Sequence, residues 1–239
     1  MILGQIKTDE KSNEITAIPA LLDALFLEGA TVSIDAMGCQ KEIVNKIVEK
    51  KADYVLALKS NQLTLLEDVI LSFDKKSCQA FHHTTDFGHG RIEERKCSII
   101  TDLNLILEKE SWTNFNAIVR IDSRRFIKKT AENKEETRYY IASAIDVEKI
   151  SQAIRNHWGI ENKVHWCLDM VFGEDSSSKR EKFSAQNFSL INKIALNLIR
   201  KNKENDINSK RFRKHTSMRT KRKFAIYRDD YLLELLNLI

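Results

Sequence analysis

Little in this chain interrupts regular structure: it holds one proline, Pro19, and seven glycines among 239 residues. These residues are the strongest punctuators of secondary structure, so their scarcity predicts long elements with few built-in breaks. The four cysteines, Cys39, Cys78, Cys97 and Cys167, are widely scattered and form no C-x-x-C pair. That spacing argues against a disulfide framework or a cysteine-based zinc site and leaves reduced, structural thiols. No apolar run at either end is long enough to cross a bilayer. The opening nine residues lack the cationic start and small-residue cleavage site of a secretory signal, and the cytoplasm is the expected compartment. Internal repeats and low-complexity stretches are absent too.

What is present is an alternation of apolar patterns. Met1, Ile2, Leu3 and Ile6 read as a strand that opens with no turn, cap or polar lead-in, so a preceding segment is expected. Ile18, Leu21, Leu22 and Leu25 then recur at helical spacing. Thr31–Ile34 reads as a buried strand ending at Asp35, with a helix after it through Ile43, Val44, Ile47 and Val48. Tyr54–Leu58 is a second buried strand, Lys59–Gln62 a polar turn, and Leu63, Leu66, Val69 and Ile70 the inner stripe of another helix. Such alternation predicts a largely parallel, helix-covered sheet, in which functional groups gather at the carboxyl ends of strands.

From about Cys78 to Ser143 the pattern becomes β-rich. Arg91–Ile100, Asn116–Ser123 and Glu136–Ala142 read as strands, and the polar Arg124–Glu135 as a hairpin loop. Helical periodicity returns over Asp146–Ile154, continues past a bend near Gly159 through His157–Leu168, and reappears at Phe183–Ile199. Beyond it lies a basic stretch. Arg200, Lys201, Lys203, Lys210, Arg211, Arg213, Lys214, Arg219, Lys221, Arg222 and Lys223 are opposed only by Glu204 and Asp206, while the whole chain carries a formal charge of +5. A run of this kind attracts polyanions, and equally forms a solvated tail. The apolar Tyr231–Ile239 segment is expected to dock back as a short helix.

Two carboxylates stand out by placement, Asp35 at a strand's carboxyl end and Glu161 within His157-Trp158-Gly159-Ile160-Glu161-Asn162. On an ideal helix His157, Glu161 and His165 share one face. That stripe has three readings: a half-buried glutamate bonded by histidines, a transition-metal site, or a hard-metal carboxylate beside DNA-contacting neighbours. Two-metal phosphoryl transfer needs acids converging from separate elements, which a strand-end Asp and a distant helical Glu satisfy. Asp169, Glu174 and Asp175 read as a loop and cap region, and Asp53 as a surface residue before a strand. His89-Gly90-Arg91 with Glu93 and Arg95 reads as a phosphate-contacting passage or as an edge strand protected by charge.

Four motifs in this order resemble one family. They are Thr31-Val32-Ser33-Ile34-Asp35-Ala36-Met37-Gly38-Cys39-Gln40, Tyr54-Val55-Leu56-Ala57-Leu58-Lys59-Ser60-Asn61-Gln62, Gly88-His89-Gly90-Arg91-Ile92-Glu93 and His157-Trp158-Gly159-Ile160-Glu161-Asn162. Together they look like DDE-type insertion-sequence transposases of the H-repeat-associated (ISAs-type) branch. The resemblance implies an α/β, ribonuclease-H-like mixed sheet flanked by helices, with a β-rich insertion over 78–143 and a helical, basic C-terminus. It implies a catalytic domain over residues 1–200, a basic tail over 201–239, and Mg²⁺ or Mn²⁺ as cofactor. Its expected activity is cleavage and joining of element DNA.

By motif, Asp35 is the family's second acid and Glu161 its third, both as metal ligands. The first acid belongs to an Asp-Gly-Lys-Thr-type motif on an earlier strand, and no such motif occurs in this sequence. The first strands of the fold are therefore expected to be missing, and catalysis by this chain to be impaired. The family also places basic residues one turn before and two turns after the helical Glu. Here those positions hold His157 and Leu168, with Arg155, Lys163 and His165 nearby. The DNA-binding set expected from these readings is His89, Arg91, Arg155, His157, Lys163, His165, Lys210, Arg211, Arg213, Lys214, Lys221, Arg222 and Lys223. Expected partners are element ends and target DNA, a second copy of the chain, or intact transposase, with no membrane. The alternatives are a non-enzymatic DNA-binding or transposase-interacting fragment, and a hydrolase using a His/Glu metal site.

Overall fold

The structure is a computed structural model, and it describes residues 1–6, 14–88, 90–179, 181, 183–205 and 216–238. The chain divides into two compact units: a sheet unit of residues 8–157, and a helical unit of residues 1–7 with 158–239.

The sheet unit contains α1 (Glu14–Asp23), β1 (Thr31–Ile34), α2 (Lys41–Glu49), β2 (Asp53–Leu58), α3 (Leu63–Lys75), β3 (Ala80–Gly88), β4 (Arg91–Ile100), β5 (Ala117–Ile127) and β6 (Glu132–Ala142). The long helix α4 (Val147–Ile160) begins in it. All six strands join one mixed sheet in the order β1-β2-β6-β5-β4-β3. Its helical cover follows from simple amphipathicity: α2 buries Ile43, Val44 and Ile47, and α3 buries Leu65, Val69 and Phe73, with charged residues outward.

The expected largely parallel sheet is corrected. Only β1 and β2 run parallel, and every other neighbouring pair is antiparallel. A parallel pair needs a long crossover, which α2 supplies between β1 and β2. The links β3–β4 and β5–β6 span only residues 89–90 and 128–131, so these strands can only reverse. Gly90 sits at φ +73°, the left-handed backbone that tight hairpins require.

The β-rich stretch continues this sheet, because β6 pairs along β2 from Val55↔Ala142 to Leu58↔Tyr139. The polar stretch Arg124–Glu135 is largely strand. Cross-strand partners such as Arg124 and Glu135, bonded at 2.8 Å, carry the ladder through water-facing positions. Asp53 belongs to β2 and accepts from Ser143 Oγ at 2.7 Å, while Ser143 Oγ accepts from the Tyr54 N–H at 2.9 Å. That bonding ties the start of β2 to the end of β6.

Two apolar cores sit on opposite faces of the sheet. One gathers α2, α3, Leu56 and Ile141, and the other packs Ile150 and Ile154 of α4 on Val55, Ile99 and Val119. Near its end α4 touches both edge strands. Arg155 pairs with Asp86 of β3 at 2.7 Å, and His157 Nδ1 lies 3.3 Å from Ser33 Oγ of β1. The sheet is therefore curled about this helix, an exaggeration of the ordinary strand twist. Burial pushes the thiols of Cys39 and Cys97 up to about 12, consistent with inert packing groups.

In the helical unit, α5 (Ser184–Asn205), α6 (Met218–Tyr227) and α7 (Asp229–Leu236) pack with the segment Cys167–Phe172. The core holds Leu168, Phe172, Leu196, Ile199, Tyr231 and Leu235, with Ile2 against it. The opening residues, expected as a strand, have no regular structure. The Asn197 side chain takes the place of a strand partner, accepting from the Ile2 N–H at 2.8 Å and donating to its carbonyl at 2.7 Å. The helix that starts at Val147 stays α-helical through Gly159 and breaks its pattern just after it. There its hydrogen bonding changes to π-helical turns at Glu161–His165 and Leu168–Phe172. Across the first of these the α-helical rule that residues four apart share a face no longer holds.

Candidate catalytic carboxylates and nucleic-acid interface

Asp35 leaves β1 in an extended conformation and opens a 3-10 turn over Ala36–Gly38. Its carboxylate is exposed and caps none of the turn's N–H groups. The backbone beneath it is tightly fixed. A Cβ on Gly38 would lie 2.2 Å from Ile34 Cγ2 and 3.3 Å from Ile18 Cδ1, so only glycine lets the turn fold back on the strand it has left.

The neighbouring motif supplies the second support. Asn61 Nδ2 donates to the Ala36 carbonyl at 2.6 Å, and Gln62 Nε2 to the Cys39 carbonyl at 2.9 Å. Lys59–Gln62, read from sequence as a polar turn, thus holds the Asp35 turn from the end of the adjacent parallel strand. Two side-chain amides at a strand's carboxyl end were the available signal.

Glu161 opens the π-helical turn in the helical unit, whereas Asp35 belongs to the sheet unit. Lys163 and His165 of that turn are exposed. His157 is half-buried against Ser33, two residues before Asp35. Arg91 and Arg155 are partly exposed and held in ion pairs, Arg91 with Glu93 at 2.8 Å and Arg155 with Asp86 at 2.7 Å.

Within the basic stretch, Lys221 is buried and Lys223 exposed. Arg222 donates to the Val171 carbonyl and stacks over Phe172 at 5.0 Å, while Arg200 donates to the Lys163 carbonyl. Lys201 caps the end of the chain by donating to the Leu238 carbonyl at 2.6 Å. His89, Lys210, Arg211, Arg213 and Lys214 lie outside the described residues. Among the described residues, no group of three or more His, Cys, Asp or Glu side chains gathers to hold a metal ion. Asp35 nevertheless suits Mg²⁺, which takes hard carboxylate oxygens one or two at a time and keeps much of its water.

The bond from the Arg155 guanidinium, against an upward push from burial and with further help from Arg95, holds the Asp86 carboxyl below the usual aspartate range. A depressed native value means that this pair adds stability above the ordinary aspartate pKa of ~3.9, lost as pH falls through the lowered value. A carbon-detected NMR titration is expected to place Asp86 below the exposed aspartates, and Arg155→Ala to move it up toward them, with Arg95 still in place. An Asp86 that titrates unchanged in the variant would show that the pair does not form in solution.

An exposed acid at the carboxyl edge of a parallel strand pair, with arginines on the adjoining helix and hairpin, marks one edge of a mixed α/β protein as the place where charged groups gather. The particular family is the transposase DDE domain family: its pattern matches residues 1–198, and the chain belongs to it. Among relatives, "H repeat-associated putative transposase YhhI" of Escherichia coli strain K12 is 41% identical over 212 residues, covering 85% of this chain and 56% of its own length. "Putative transposase YncI" of Escherichia coli O157:H7 is 40% identical over 229 residues, 92% of this chain and 58% of that protein. The chain thus spans a little over half the length of these curated relatives. No helix among the described residues is long and apolar enough to cross a membrane.

Proposed function

We propose that this chain supplies the second and third acids, Asp35 and Glu161, of an insertion-sequence transposase with a ribonuclease-H-like catalytic domain over residues 1–200. Its reaction is DNA end cleavage and strand transfer, in which a hydroxyl oxygen attacks a backbone phosphorus in line and the displaced oxygen leaves with a proton. The observation that carries the reading is Asp35, uncapped and exposed on a turn clamped by Gly38, Asn61 and Gln62, in a chain of this family.

Asp35 and Glu161 would hold Mg²⁺ or Mn²⁺, which when bound supplies charge neutralisation at the phosphoryl oxygens and activation of the attacking hydroxyl. The chain's own groups do the rest. Asn61 and Gln62 fix the Asp35 backbone, and His157 ties β1 to α4. Arg91, Arg155, Lys163, His165 and Lys223 neutralise phosphates, joined by His89, Lys210, Arg211, Arg213 and Lys214. Lys221 and Arg222 serve chiefly by holding α6 in place. The working compartment is the bacterial cytoplasm, at the nucleoid when DNA is bound.

The Asp-Gly-Lys-Thr-type motif of the family's first acid is not among these 239 residues. Without that first carboxylate, the developing charge on the phosphate is incompletely neutralised. The 239-residue chain is therefore expected to bind element DNA but to give no detectable strand transfer. Fusion behind an N-terminal segment that carries the Asp-Gly-Lys-Thr-type motif is expected to restore Mg²⁺-dependent end cleavage. Full activity of the 239 residues alone, or none from the fusion, would overturn this reading.

A further inference from the structure

Four arginines of the sheet unit meet around two acids at the far end of the β3–β4–β5 sheet. Arg91, Glu93 and Arg95 alternate along β4 and so share one face, and the pairings Asp86↔Glu93 and Glu93↔Arg125 place Asp86 and Arg125 on that face beside Glu93. Glu93 Oε1 lies 2.8 Å from Arg91 Nε and 2.9 Å from Arg125 Nε, and its Oε2 accepts from Arg95. Arg95 also reaches Asp86 at 2.8 Å, and Arg155 of α4 completes the group through Asp86. Four guanidiniums face two carboxylates, an excess of two positive charges.

The arrangement is not that of a simple protected edge. The Glu93 side chain is only 10% exposed, whereas those of Arg91, Arg125 and Arg155 are 44%, 46% and 46% exposed. The acid is thus the buried hub and the cations form the outer shell. Arg91 and Arg125 each approach Glu93 Oε1 with Nε, an ion-pair contact without hydrogen-bond geometry, and both side chains stay nearly half exposed with two terminal nitrogens beyond Nε. Those nitrogens form the fork that matches two oxygens of a phosphate. Fixing the guanidinium beforehand removes part of the ordering cost of binding.

Position points to the same ligand. Arg155 joins this cluster while His157, two residues later, joins β1 just before Asp35. The cluster and the Asp35 turn therefore flank the same end of α4.

We infer that Glu93 and Asp86 organise Arg91, Arg95, Arg125 and Arg155 into a phosphate-binding platform for a nucleic-acid backbone passing the Asp35 edge, with Glu93 as a positioning residue. This rests on the DNA-handling reading above and assigns it a particular surface.

The test is binding of the 239-residue chain to a fluorescein-labelled DNA duplex, followed by anisotropy across a salt series. Each phosphate contact contributes about 0.9 to the slope of log affinity against log salt. Arg91→Ala and Arg125→Ala are each expected to flatten the slope by about that amount. Arg124→Ala, which removes the same charge one residue away on the opposite face of β5, is expected to leave it unchanged. Arg125→Lys keeps the charge but loses the Nε anchor, and is expected to weaken binding while preserving the slope.

Glu93→Gln removes a negative charge, so simple attraction would tighten binding, whereas loss of the organiser loosens it. Tighter binding by Glu93→Gln would overturn the positioning role. Equal effects of Arg124→Ala and Arg125→Ala, or none from Arg91→Ala and Arg125→Ala while the unaltered chain binds, would overturn the platform and spare the DNA-handling reading. Failure of the unaltered chain to bind DNA would overturn both.

Discussion

Asp35→Asn, placed in the fusion that carries the family's first acid, is expected to reduce end cleavage roughly a thousandfold, about 4 kcal/mol of transition-state stabilisation. Asparagine keeps the size of the side chain and can still follow the same extended backbone, so the Gly38, Asn61 and Gln62 clamp remains intact. What disappears is a formal negative charge and a hard oxygen donor on an exposed, uncapped side chain. The loss belongs in the chemical step, with DNA affinity held within about threefold, because an acid contributes nothing attractive to phosphate binding on its own. A single-turnover cleavage assay beside an anisotropy titration separates the two. Cleavage within tenfold of the unaltered fusion would remove Asp35 from the reaction. Glu161→Gln is expected to behave the same way.

Tyr231→Ala is expected to cost ~3–5 kcal/mol in the helical unit, the usual range for deleting a fully buried aromatic ring. Tyr231 is wholly buried, packs edge to face on Phe224 at 5.8 Å, and places its hydroxyl 3.2 Å from Asn202 Oδ1. Asn202 in turn donates to Glu234 at 2.7 Å, so one side chain links α5 to α7. Removing the ring opens a cavity in the core that also holds Leu168 and Phe172, which close the turns following Glu161. Urea unfolding followed by circular dichroism measures the effect. A midpoint shift worth less than about 1 kcal/mol would mean that α7 does not close this core in solution. Tyr231→Phe, which keeps the ring, is expected to lose only the hydroxyl's bond, ~1 kcal/mol.

The sequence was most readable where burial imposes a pattern. Thr31–Ile34 and Arg91–Ile100 are strands at the expected bounds, because apolar residues flank or end each of them. The edge strand β3 was missed. Its half-buried face carries the polar His82, Thr84 and Asp86 while Phe81 and Phe87 sit on its exposed face, so the apolar-in pattern of a strand is missing. The hairpin was read too short for the same reason, since charged pairs such as Arg124 and Glu135 stabilise a ladder without an apolar signature. Strand direction was misread because a local pattern reports an element and not its partner. It was the two-residue and four-residue links that fixed the antiparallel order.

At the candidate site, Asp35 was legible from its place after a buried strand. The supports were not: Asn61 and Gln62 act through bonds to carbonyls more than twenty residues away, a relation that no spacing rule contains. Arg125 stayed hidden inside what looked like a loop, and its role emerges only from register with Glu93.

The bond between Ile2 and Asn197 carries a consequence for biosynthesis. These residues stand 195 positions apart, yet they share one small core. At ~5–20 residues per second, a ribosome needs roughly 10–40 s to make the second after the first. Through that interval the segment around Ile2 waits without its final partner, holding Ile2 and Leu3 available to a chaperone, while the sheet unit can fold behind it. The helical unit can close only after the residues of α7 have emerged, so its assembly follows that of the sheet unit.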